Sequence, residues 1–130
     1  MEYYIVDSFA TKLFKGNPAG VCVLDRRIPL ELMQKIAEEN NLPETAFVVK
    51  GKGNYELRWF TPKAEIDLCG HATIGTFHAL LEEGKLNTNK SIFYQETKAG
   101  VLSVELKKIN NENMYYSRTQ YFKKWCMHFC

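Results

Sequence analysis

The sequence predicts an α/β (α+β) domain in which a sheet wraps around one buried helix. Strand-like and helix-like patterns alternate along the chain. The segment from His71 to Leu81 is apolar or small on every side of a helix, so it needs cover on all sides. The 130 residues are 45% hydrophobic and 25% charged, which is enough for one core.

The first part of the chain is expected to hold two strands and a helix. Tyr3–Phe9 and the valine-rich segment Gly20–Asp25 have strand composition, and Gly16-Asn17-Pro18 between them is typical of a turn. Pro29 suits a helix start, and apolar residues recur at helical spacing up to Glu39.

The remaining strands are expected in two pairs, before and after the buried helix. Each pair is joined by a short turn that contains glycine, Gly51-Lys52-Gly53 in the first and Lys98-Ala99-Gly100 in the second. The strands are Glu44–Lys50 with Asn54–Phe60, and Ile92–Thr97 with Val101–Lys107.

Composition excludes several classes of function. The net charge of +2 is too small to indicate binding to nucleic acid or to an anionic membrane surface. No apolar run approaches the roughly 20 residues of a membrane span, and Met1-Glu2-Tyr3-Tyr4 does not begin a signal peptide, so a cytoplasmic location is expected. The cysteines show no CxxC spacing, so we expect free thiols and no metal site at Cys22, Cys69, Cys126 and Cys130.

The run DLCGHATIG, residues 67–75, places a small-residue turn and two reactive side chains at the expected start of the buried helix. Gly70 allows a ligand to approach the backbone closely. The first N–H groups of a helix that begins near His71 have no partner within the helix, so they can hold a carboxylate. Cys69 and His71 would flank that anion. The alternative is a core helix whose residues are small only for packing.

Glu44 stands where a helix pattern ends, a proline follows and an apolar strand begins, in NNLPETAFVV at residues 40–49. Apolar neighbours would partly desolvate its carboxylate, which suits it to carry a proton near neutral pH. The alternative is an exposed glutamate at a strand end, the usual location of a charged residue.

These segments, with VDSF at residues 6–9 and GNPAG at 16–20, resemble the amino-terminal half of the PhzF-like isomerase family, named for phenazine biosynthesis. The resemblance runs in register from about Met1 to Lys107. It implies one half of a diaminopimelate-epimerase-like fold, with a mixed sheet around a central buried helix and a cleft closed by two similar halves. It also implies that the reaction needs no metal or organic cofactor.

Carried over residue by residue, the resemblance implies that Glu44 is the catalytic acid/base and that Gly70 and His71 border the substrate. Asn17 is expected to help position the substrate, although its segment also reads simply as a turn. Cys69 is expected to line the pocket; the alternative is a base or nucleophile, because epimerases of this fold move a proton with a cysteine pair. His78 is expected to be structural.

The chain departs from the family pattern in its length and its tail. Family members carry a second half with a further acidic residue and a Gly-rich anion-binding turn, neither of which occurs here. We therefore divide the chain into a PhzF-like amino-terminal domain, residues 1–108, and a divergent tail, residues 109–130. A frameshift or truncation is the simplest interpretation of that tail, and its three basic residues are too few to indicate binding to nucleic acid.

Two classes of function follow from these observations. The first is a proton-shuttling isomerase that acts on a small carboxylic acid, present here in truncated form. The second is a catalytically inactive fragment that serves at most as a binding or assembly module. The expected partners are the small carboxylic acid and either a second copy of the chain or a complementing second half, with no nucleic acid and no membrane.

Overall fold

The fold is taken from a computed structural model, which describes residues 2–8, 17–51, 54–67, 69–86, 90–109, 112–117 and 125–129. Of Asp7, Ser8, Asn17, Gly70, His71, Ile74 and every residue from 106 onward, it describes the backbone alone. The elements, in chain order, are β1 (Glu2–Ser8), β2 (Asn17–Leu24), α1 (Leu30–Asn40), β3 (Glu44–Lys50), β4 (Tyr55–Phe60), β5 (Glu65–Ile66), α2 (Gly70–Glu82), β6 (Ile92–Thr97), β7 (Gly100–Ile109), β8 (Glu112–Ser117) and β9 (Trp125–Phe129).

The strands of this described part form one sheet that closes on itself. Their order is β3-β2-β1-β9-β8-β7-β6-β4-β5, and β3 also pairs with β4, so eight strands make a barrel. The short strand β5 pairs with the last two residues of β4, while β6 pairs with the first two. The β2–β3 and β4–β6 pairs are parallel and the others are antiparallel, which makes the sheet mixed.

Helix α2 lies inside this barrel, as the sequence predicts. Every α2 residue from Ala72 to Leu80 whose side chain is described is buried. The ring of Phe77 packs against Tyr55 of β4 and Phe93 of β6, with ring centroids 5.5 and 5.9 Å apart. The polar Thr76 is accommodated because its hydroxyl donates to the Ala72 carbonyl at 2.7 Å. The sheet therefore provides the cover that an all-round apolar helix requires.

Helix α1 covers the outer face of the barrel at β2, β3 and β4. Its buried residues Met33 and Ala37 pack with Cys22, Phe47 and Phe60 in a second, smaller core. The rings of Phe47 and Phe60 meet edge to face, with centroids 5.5 Å apart. The helix follows Pro29, as expected, and ends at Asn40.

The structure corrects one prediction made from the sequence and adds strands that were not predicted. Asn17 and Pro18 were expected in a turn, but they form the start of β2 and pair with Ser8 and Asp7. A proline is tolerated at a strand start because few ladder bonds need its missing N–H. Strands β5, β8 and β9 were not predicted; β5 is too short to show a period of two. The division at residue 108 stays a prediction.

Gln95 is an unusual residue in this core. Its side chain is fully buried on the inner face of β6, two residues from Phe93, and β6 pairs it with Tyr55 and Leu102. Among the residues that the structure describes, neither its amide nitrogen nor its amide oxygen has a hydrogen-bond partner. A buried amide without partners destabilises the folded state, because it gives up its bonds to water.

We therefore expect Gln95→Met to raise the free energy of unfolding by about 1–3 kcal/mol, the usual penalty for one buried polar group without a partner. Methionine has a similar shape and no amide to desolvate. Denaturant titration followed by circular dichroism measures the change. Glu96→Met on the exposed face of the same strand is the control and should change stability by less than about 0.5 kcal/mol. A loss of stability in Gln95→Met would show that the amide is bonded in solution.

Cys22 supports a second expectation, about chemical reactivity. Its side chain is fully buried against α1, and burial raises the pKa of the thiol to about 12, because the thiolate is poorly solvated there. In a chain whose other three cysteines are replaced by serine, we expect iodoacetamide to leave Cys22 unmodified at mildly alkaline pH. The same chain in urea should react readily. Mass spectrometry measures both, and equal rates in the two states would contradict the expectation.

Candidate active site

One end of the barrel gathers the segments that the sequence singled out. The parallel strands β2 and β3 both begin there, since Ala19 pairs with Glu44. Strand β4 is antiparallel to β3 and ends there, since Thr45 pairs with Phe60. Strand β5 starts at the same end, since Glu65 pairs with Phe60. Helix α2 ends near the opposite end, because the Tyr55 hydroxyl at the start of β4 donates to the carbonyl of Lys85, three residues after α2, at 3.3 Å. The starts of α2, β2 and β3 therefore lie at one end of the barrel, which we call the site end.

A tight turn between α1 and β3 positions Glu44. Asn41, the cap residue just after α1, has the left-handed conformation with φ 51°, and its N–H donates to the Ala37 carbonyl at 3.1 Å. The Asn40 side-chain amide donates to the hydroxyl of Thr45 at 3.3 Å, which ties the end of the helix to the new strand. Asparagine tolerates this backbone conformation better than most residues, so the sequence itself favours the turn.

The alternation of strand side chains places Glu44 on the inner face of the sheet. Ala46 and Val48 belong to the core around α2, whereas Phe47 packs toward α1. Because successive strand residues alternate between faces, Glu44 shares the face of Ala46. Its side chain is half-buried, and the carboxylate oxygen Oε2 is buried. The partial desolvation expected from the sequence is therefore present, and the catalytic role of Glu44 stays a prediction.

The start of α2 offers backbone N–H groups to the same end. Cys69 is the N-cap residue, with extended φ and ψ of −140° and 111°. Within the described structure its side chain makes no capping hydrogen bond, and no acidic residue lies in the first turn. The Cys69 carbonyl accepts from the backbone N–H and hydroxyl of Thr73, at 3.0 and 2.6 Å. This start can therefore hold an anion through its N–H groups and dipole.

The other predicted site residues are placed by backbone alone. Asn17 is the first residue of β2, two positions before Ala19, the partner of Glu44. Gly70 and His71 are the first two residues of α2. The side chains of Asn17 and His71 lie outside the described part of the structure. The backbone thus brings all five predicted residues to the site end, and their roles in binding stay predictions.

The two remaining reactive side chains of α2 have different surroundings. Cys69, just before the helix, forms no disulfide with another described residue and is only 7% exposed. His78 is buried more than two turns further on, with its Nε2 atom 4.0 Å from Glu82 Oε1. Its distance along the helix from the site end agrees with the structural role expected for it.

A cluster of charged side chains that the sequence analysis missed lies on β4 and β5 and in the turn between β6 and β7. Arg58 Nε donates to Glu65 Oε1 at 2.6 Å, which joins β4 to β5. Lys98, in the turn between β6 and β7, lies 3.9 Å from Glu65 and 3.6 Å from Asp67. These residues are scattered over 41 positions of sequence, from 58 to 98, so only the pairing of strands brings them together.

Trp59 is a second residue that the sequence analysis missed. It lies on the inner face of β4, is 1% exposed, and belongs to the core that includes Cys69 and Ala72. The alternation of apolar and charged residues in YELRW, residues 55–59, was the available signal for its inward position.

The described residues contain neither a metal-binding cluster nor a membrane-spanning helix. No group of three or more His, Cys, Asp or Glu side chains in that part of the chain is arranged to hold a metal ion. None of its helices is long and apolar enough to cross a membrane.

Comparison with known proteins identifies close relatives. The sequence profile of the phenazine biosynthesis-like protein family matches residues 6–121. An uncharacterized isomerase of Pseudomonas aeruginosa is 54% identical over 104 residues, which are 80% of this chain and 39% of that protein. The crystal structure of a PhzC/PhzF phenazine biosynthesis protein of Clostridium difficile is 68% identical, with a TM-score of 0.76, over 88% of this chain and 42% of that one.

A more distant structure extends the likeness of the fold. A hydroxyproline epimerase of Agrobacterium vitis is 13% identical and has a TM-score of 0.62, over 88% of this chain and 40% of that one. At this identity the likeness concerns the fold alone, and it confirms the epimerase-like architecture expected from the sequence.

The matches cover most of this chain but less than half of each relative. It spans about two fifths of the length of the relatives it matches. The family match also continues beyond residue 108, to residue 121. With 116 of 130 residues matched, from 6 to 121, the chain belongs to the phenazine biosynthesis-like protein family.

Proposed function

We propose that this chain is the amino-terminal half of a PhzF-like isomerase, in which Glu44 moves a proton between two carbons of a small carboxylic acid. The observation that carries the proposal is that Glu44 and the start of α2 lie at the same end of the barrel, with Glu44 Oε2 buried. Family membership supports the same class of reaction, since the relative in Pseudomonas aeruginosa is named an isomerase.

The proposed chemistry needs one base and one anion site. The Glu44 carboxylate takes a proton from a carbon of an unsaturated or hydroxylated acid, and the electrons of the broken C–H bond are delocalised into the neighbouring unsaturated group. The negative charge that develops is stabilised by N–H groups at the start of α2. Glu44 then returns the proton to another carbon, so the reaction consumes no oxidant or reductant.

The site end supplies only part of a closed cleft. Because the chain spans about two fifths of its relatives, we propose that turnover requires either a complementing second half or a second copy of the chain. Either partner would cover the site end and exclude water from the reacting groups. We further propose that the protein acts in the cytoplasm, as its sequence suggests.

The second candidate function is a catalytically inactive fragment that serves in binding or assembly. The limited share of the relatives' length favours it. The two candidates differ in one measurable property, which is proton exchange at a carbon of a substrate.

We expect Glu44→Gln to lower the rate of any isomerisation by roughly 10²–10⁴, because glutamine keeps the size of the side chain but cannot accept the proton. The rate is measured as incorporation of solvent deuterium, by the chain alone and with a complementing second half. Cys69→Ser is the matched control and should have a milder effect.

Two outcomes would overturn this assignment. If Glu44→Gln kept near-full exchange while Cys69→Ser abolished it, the thiol mechanism of the epimerases would be correct. If the parent chain showed no exchange in either condition, the inactive fragment would be the better description.

We also expect the isolated chain to self-associate. Tyr3 and Ile5, two residues apart on the outer face of β1, are 41% and 43% exposed and form an apolar patch. Apolar surface of this kind favours association in water. Sedimentation velocity over a range of concentrations measures the effect, and Ile5→Lys should weaken it. A parent chain that stays monomeric at high concentration would contradict the expectation.

A further inference from the structure

The indole of Trp59 is a buried hydrogen-bond donor at the site end. The side chain is 1% exposed, and its Nε1 atom has no hydrogen-bond partner within the described structure. Buried tryptophan N–H groups usually find an acceptor, because desolvation without a bond is costly. A donor left in this state is therefore expected to have a partner in the working protein.

Strand register brings this donor close to Glu44. Trp59 pairs directly with Ala46, and Glu44 lies two residues before Ala46 on the same face of β3. Such diagonal neighbours have Cβ atoms roughly 7–8 Å apart, a gap that an indole and a glutamate can span together. Both residues face α2, so their polar atoms lie on one side of the sheet.

A carboxylate is the strongest acceptor available to such a donor. A hydrogen bond from a neutral N–H to an ionised carboxylate is shorter and stronger than one to a neutral oxygen. It would also restrict the carboxylate to one orientation, which a base needs if it is to meet a carbon-bound proton in line. Because Trp59 and Glu44 both lie on strands of the barrel, the fold would determine the orientation of the carboxylate.

We propose that the indole N–H of Trp59 donates to the ionised carboxylate of Glu44 and orients it, which makes Trp59 a positioning residue of the site. The meaning of this contact for catalysis rests on the proposed function, but the contact itself does not. Other titratable groups at the site end are Cys69, at the start of α2, and the cluster of Glu65, Asp67 and Lys98 on the approach to it. His71 also begins α2, although its side chain lies outside the described structure.

The test uses tryptophan spectroscopy on the whole chain. The sequence has two tryptophans, so Trp125→Phe leaves Trp59 as the sole reporter. Ultraviolet resonance Raman spectra report hydrogen bonding of the indole N–H, and they are recorded through the titration range of carboxyl groups. We expect the N–H band to show a bonded donor at neutral pH and to change as Glu44 is protonated.

Two matched variants identify the acceptor. Glu44→Gln in the Trp125→Phe background should abolish the pH-dependent change of the Trp59 band. Glu65→Gln removes a nearby carboxylate that is paired with Arg58, and it should leave the change intact. Circular dichroism verifies that each variant is folded. A Trp59 band that does not change with pH, or that changes equally in Glu44→Gln, would overturn the proposal.

The spectroscopic result and the exchange assay separate the two proposals. If Glu44→Gln abolishes exchange but does not alter the pH dependence of the Trp59 band, the isomerase proposal is supported and the positioning role of Trp59 is wrong. If the pH dependence of the band is lost in Glu44→Gln but the parent chain shows no exchange, the contact is supported and the isomerase proposal is wrong. Where exchange is measurable, Trp59→Phe should lower kcat more than it raises KM, since an orienting donor acts on the reacting arrangement more than on binding.

Discussion

The burial of α2 within a closed sheet is the constraint on which the rest of this structure depends. A helix that is apolar on all sides is unstable in water, and here the barrel strands surround it. Burial of a side chain such as Phe77 contributes about 1.5–3 kcal/mol, so the helix and the barrel stabilise each other. The closing pair between β3 and β4 completes the enclosure.

That enclosure also determines where the polar groups can lie. The start of α2 lies at one end of the barrel, and strand register places Glu44 on the inner face at the same end. A shift of β3 by one residue would turn Glu44 outward and Phe47 inward, so the core and the candidate site depend on the same register. On the outer face, the half-buried pair of Arg58 and Glu65 joins β4 to β5, whereas solvent limits the contribution of the more exposed Lys98 to stability.

Proteins of very different sequence share this architecture. The likeness to an epimerase at 13% identity follows from the pattern of buried positions, which many sequences satisfy. Chemistry within such a fold is decided by a few polar residues at the site end, so the fold by itself does not name a reaction. Because the chain spans about two fifths of the length of its relatives, the activity of a whole enzyme stays a proposal.

The sequence by itself determined the local elements and the main candidates of the site. Local patterns could be predicted because each depends on neighbours along the chain. They are the apolar α2, the helix–proline–glutamate segment before β3 and the small-residue turn at Gly70. Only the tertiary structure decided the closure of the sheet, the cluster of Arg58, Glu65 and Lys98, and the diagonal relation of Trp59 to Glu44. Those features depend on strand register between distant residues, which local patterns do not encode.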